Sequence, residues 1–361
     1  MNKREKRKLT VSVILLLAAV LLLAAAHTIP GWGDFYSRYI YRALAAVVGR
    51  IAGIFPFSIA EICLYVLLAA LAVTFASAVR KGIRENCLKR KMLQWILGLF
   101  LAAAVLFFLY VINCGINYRR SSFTQQEGIE GEKYTDEELA EVCRWLTSEV
   151  NARSVQVTRD ETGQMMAPEN AGDIAAQVMK NLGEDYPSLA GYYPEPKKLL
   201  LSQILSWQHL SGIYSPFTIE ANYNGDMTDY NIPFTMCHEL SHLRGFMQEE
   251  EANFIAFLGC VESEQTEFQY SGYLSGWIYA MNELNDKDVE SWSQVRTLLS
   301  AEAETDVAAN SAFWQMYEGK VSRWSGRIND TYLKANGQVH GVESYDRMVE
   351  LVVFYYQSEK A

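Results

Sequence analysis

Apolar residues crowd into three long runs in the first third of the chain and break into short periodic segments after it. The runs cover about 9–27, 57–79 and 92–114. At 1.5 Å per helical residue each is long enough to cross the ~30 Å hydrocarbon core of a bilayer, so three transmembrane helices are expected. Ala24, Ala25 and Ala26 are small residues of the kind that precede a signal cleavage site. The first run is nevertheless long for a leader and two more follow it, which favours a retained span. Between the first two runs, residues 33–54 place Tyr36, Tyr39, Ile40, Ala43, Leu44 and Val47 at helical spacing with few charges. That pattern predicts a helix lying in the membrane interface, or a short re-entrant segment.

From about residue 118 the pattern becomes that of a soluble domain. Tyr134 to Asn151 reads as a helix entered through Thr135, Asp136, Glu137 and Glu138, and Ala171 to Leu182 as another. Residues 186–196 are a tyrosine- and proline-rich connection. The stretch from Ile213 to Asn224 mixes β-branched and aromatic residues and predicts a strand, with Pro216 marking an edge or a bulge. A helix then ends at Gly245, and a second apolar period runs from Ala252 to Cys260. The expected fold is mainly α: a membrane anchor over 1–117 and an α+β domain over 118–361 with a short edge sheet.

Charge adds direction. The first eight residues hold five Lys or Arg and the 80–91 loop holds six, against three (Arg38, Arg42, Arg50) between Pro30 and Pro56. Positive loops stay in the cytoplasm, so the amino terminus is expected inside and the carboxy-terminal domain outside the cytoplasm of a multi-pass cell-membrane protein. The chain as a whole carries a formal charge of −10 while its membrane part is basic. An acidic exterior domain argues against nucleic acid or anionic lipid as a partner.

The chemistry lies in His238-Glu239-Leu240-Ser241-His242. Four residues apart on a helix, His238 and His242 share a face and can hold one zinc ion, while Glu239 projects toward its water as a general base. Gly245 lets the chain turn sharply into a second helix headed by Glu249, Glu250 and Glu251. Glu249 shares a face with Ala252, Asn253 and Ala256, which suits close approach to the metal helix and makes it the expected third ligand. Glu251 is the alternative, since the start of the helix can be irregular.

Two resemblances follow. HELSH with the downstream Glu249, Ala252 and Asn253 resembles the gluzincin metallopeptidases, which implies that Glu249 binds zinc and Asn253 orients a histidine. Gly212–Asn222, Pro233-Phe234-Thr235, the HExxH segment and Tyr332–Gln338 resemble the DUF3810 family of bacterial membrane proteins over most of the chain. Together they imply a zincin-like domain behind membrane helices, with a peptide or protein substrate pairing along the strand around Ile213–Asn224. Such a hydrolase also needs an oxyanion donor, and Tyr345 at the start of the last helix is a weak choice for it. Cys143, Cys237 and Cys260 lie in the exterior part, an odd number that cannot pair completely. The sequence thus predicts a membrane-anchored zinc metallopeptidase acting outside the cytoplasm, with a catalytically silent zinc-containing scaffold of the cell envelope as the alternative. Intact Glu239 favours the enzyme, because a purely structural site has no use for a general base.

Overall fold

The computed structural model describes residues 1–129, 131, 133–338 and 345–360. They form two compact units, one of Met1–Arg120 with Ser215–Glu220, the other of Ser121–Tyr214 with Ala221–Ala361.

The first unit begins with α1 (Lys3–Thr28), capped by Asn2 and Glu5 in a reciprocal box. A short α2 (Trp32–Phe35), a π-helical turn at Tyr36–Tyr41 and α3 (Arg42–Gly53) follow. Then come α4 (Ile59–Arg84) and α5 (Leu88–Tyr110), which continues through irregular helical turns to Arg119. Three stretches, Lys3–Thr28, Ile59–Arg84 and Leu88–Arg119, are long and apolar enough to cross a membrane. They overrun the apolar runs because Lys and Arg at their ends are good helix formers and prolong the hydrogen-bonded ladder. α5 packs against both α1 and α4, and Gln94 on α5 donates to the buried Glu5 at 2.8 Å. The Tyr36 hydroxyl donates to the Ile112 carbonyl at 2.7 Å, so the segment expected at the interface is tied to the last span.

The turn Ser215–Glu220 completes this unit. Glu220 accepts the backbone N–H groups of Ile59 and Ala60 at 3.0 and 2.8 Å, and Ser58 accepts that of Glu61 at 3.1 Å. Three of the four donors that any helix leaves unpaired at its start are thereby satisfied at α4.

The second unit is helical with a small sheet. Its elements are α6 (Phe123–Glu127), α7 (Asp136–Ser154), α8 (Ala171–Asp185), β1 (Lys197–Lys198), α9 (Gln203–Gln208), β2 (Gly212–Ser215), β3 (Glu220–Tyr223), α10 (Asn231–Leu243), α11 (Glu249–Val261), α12 (Thr266–Lys287), α13 (Val289–Arg296), α14 (Ala301–Met316), α15 (Lys320–Ala335) and α16 (Tyr345–Lys360). α11 is the centre: it packs on α8, α10, α12 and α16, and every residue from Glu251 to Val261 is buried. Each buried phenylalanine there stabilises the fold by about 1.5–3 kcal/mol. Phe254 also joins Phe123 and Phe246 in a ring cluster beneath the turn that links α10 to α11.

The strand expected over Ile213–Asn224 is two strands. β2 and β3 form a hairpin around Pro216–Ile219, and the sheet order is β1–β3–β2, with β1 parallel to β3 and Lys197 opposite Asn222. Pro216 lies in the turn and not within a strand. β2 is left at an edge of the sheet.

Candidate metal centre

α10 brings the histidines together as the spacing demands. His238 and His242 lie one turn apart with ring centroids 4.6 Å apart and planes nearly perpendicular. The helix stops at Gly245, which takes φ of 97°, a conformation costly for any residue bearing a Cβ. The Phe246 N–H returns to the Ser241 carbonyl at 3.1 Å, closing the end in a Schellman-like turn. That reversal places Glu249, first residue of α11, back against the imidazoles. Its carboxylate oxygens lie 3.4 Å from His238 Nε2 and 3.7 Å from His242 Nε2. One donor atom from each of the three residues falls within 4.8 Å of the others.

The donor set fits a zinc-sized cation. Ligand atoms ~2.0–2.1 Å from a tetrahedral ion lie ~3.3 Å from one another, close to the separations found here. The His242 Nδ1 lies 2.7 Å from the Phe246 carbonyl oxygen, so the proton is held on that nitrogen and Nε2 presents its lone pair to the cluster. His238 is hydrogen-bonded to the side chain of Asn253, the residue expected to orient a histidine.

Glu239 is buried, and among the described residues its Oε2 has no hydrogen-bond partner. The carboxylate also accepts the backbone N–H of Tyr214 in β2. Burial pushes the Glu239 carboxyl up to about 8, against the opposing pull of His238 and with the repulsion of Glu249 adding to the rise. Glu249 behaves oppositely: burial disfavours its charge, but the two imidazoles outweigh that and hold its carboxyl at about 2. The His242 imidazole is lowered to about 4 by burial and by the neighbouring His238. The two carboxyls are thus shifted in opposite directions, Glu239 up by burial and Glu249 down by the two imidazoles.

Of the two glutamates left open by the sequence, only Glu249 meets the histidines. Glu251 points away, accepting from the Thr124 N–H and hydroxyl at 3.1 and 3.0 Å and facing Arg347 at 3.8 Å. The backbone of Tyr345 opens α16; its side chain lies outside the described residues. Cys237 and Cys260 are buried free thiols with sulfurs 3.8 Å apart, stacked between α10 and α11.

Two participants escape sequence reasoning. Gly212 in β2 faces Glu239 so closely that a Cβ there would lie 2.5 Å from Glu239 Oε1 and 2.9 Å from the Asn222 carbonyl oxygen. Its role is space, and nothing local in the sequence signals it. Phe246 acts through its carbonyl, and the left-handed glycine before it was the available clue.

No curated protein and no solved structure matches the chain. The family model described as "Protein of unknown function (DUF3810)" matches residues 36–353, so the chain belongs to the DUF3810 family.

Proposed function

We propose that the protein is a membrane-anchored zinc peptidase that hydrolyses peptide bonds outside the cytoplasm. The observation that carries this reading is the convergence of the His238 and His242 Nε2 atoms with the Glu249 carboxylate beside a buried Glu239 whose second oxygen is unpaired. His238, His242 and Glu249 hold the ion. Zinc bound there supplies a Lewis acid that polarises a carbonyl and eases deprotonation of water. Glu239 accepts the proton of the attacking water and delivers it to the departing amine. The β2 edge aligns an extended peptide through backbone hydrogen bonds, with the scissile carbonyl toward the histidines. Asn253 and the Phe246 carbonyl fix the orientation of the imidazoles.

Elemental analysis of the purified full chain tests the ion. The reading expects about one zinc per wild-type chain and a loss of most of it in His242→Ala, because two ligands hold zinc far more weakly than three. Equal and negligible zinc in both proteins would remove the basis of the proposal.

A further inference from the structure

Helix α15 presents an exposed apolar stripe beside a basic one. α15 exposes Val321, Trp324 and Ile328, with Trp324 69 % accessible, along one stripe. At 100° per residue Lys320, Arg323, Arg327 and Lys334 fall on the neighbouring stripe, together with Asp330, which pairs with Lys334 at 2.8 Å, and the buried Ser322 and Leu333 on the face beyond the apolar one. The apolar stripe therefore lies between the packed face and a basic face, in a chain whose formal charge is −10. α9 packs against α15 and adds Ile204 and Trp207, the latter 53 % accessible. Patches of this apolar character are uncommon on surfaces that meet only water.

We infer that the α9–α15 face binds the headgroup region of an anionic phospholipid bilayer. Tryptophan at the border of an apolar stripe, flanked by Lys and Arg, is the composition of a helix lying in the interface. The basic stripe complements anionic phospholipid.

The test uses the full chain in nanodiscs, with and without bromine on the acyl carbons nearest the headgroups of mixed phosphatidylcholine and phosphatidylglycerol. The difference between wild type and Trp324→Phe isolates the emission of Trp324 from that of the other tryptophans. Trp324→Phe keeps an aromatic ring at an exposed position, so the fold is retained. Contact at interfacial depth predicts a blue-shifted Trp324 emission quenched at least about twofold by the brominated lipid. The double variant Arg323→Glu/Arg327→Glu should lose much of that quenching. A Trp324 emission unquenched by the brominated lipid would overturn the assignment, red where water covers the face and blue where a second copy or another protein does. The readout is lipid contact and not hydrolysis, so it stands or fails independently of the peptidase reading.

Discussion

At the scale of single residues the account turns on crowding around Glu239. Gly212 is not in the left-handed region, so an alanine there acts through its methyl group, which would overlap the Glu239 carboxylate and press on the Asn222 carbonyl oxygen. Gly212→Ala should retain zinc while lowering peptide hydrolysis by on the order of a hundredfold, the scale of a misplacement of about 1 Å. Glu249→Gln should do the reverse and lose zinc, since a neutral amide is a poor ligand. Zinc content and hydrolysis measured side by side on both variants separate the two effects; a Gly212→Ala protein as active as wild type would show that the base has room to spare. The residues with chemistry of their own were legible from the sequence, because HExxH spacing and a glycine turn are local signals. Gly212 was not, since its meaning depends on a side chain 27 positions away.

At the scale of elements, the helices were legible and the hairpin was not. Periodicity and the Thr135 cap announce α7, and the capping box forms as expected. Helix ends were drawn short at α4 and α5 because the pattern followed hydropathy, while the ladder continues through charged residues. The β2–β3 turn lacks the usual markers: Ile219, a β-branched residue, takes φ of 52° at its end, where Gly or Asn is normal. Full burial of Ile219 overrides that preference. Capping of α4 by Glu220 was equally invisible, since it joins residues 160 positions apart. Glu220→Ala strands two N–H groups and should destabilise the full chain by about 1–3 kcal/mol. Thermal unfolding in nanodiscs checks this, with Glu220→Gln, which keeps one acceptor oxygen, expected between the two; an unchanged midpoint for Glu220→Ala would show that water replaces the cap.

At the scale of the whole molecule, the proposed placement of the His238–His242–Glu249 cluster outside the cytoplasm rests on three candidate spans and a charge asymmetry. Lys and Arg concentrate at the start of α1 and around the turn between α4 and α5, the asymmetry from which a cytoplasmic position for both is expected. A reporter active only outside should work when fused after Ala361 and be silent when placed in the 82–89 loop; the opposite pattern would put the cluster in the cytosol. The central claim is that the cluster cleaves peptides with Glu239 as base. The most direct measurement is hydrolysis of a broad peptide library by the zinc-loaded full chain and its Glu239→Gln variant at matched metal content. The account predicts cleavage by wild type and a loss of at least about a hundredfold in the variant, the usual contribution of a positioned acid–base group. Equal rates in the two proteins, or no cleavage by zinc-loaded wild type, would contradict it.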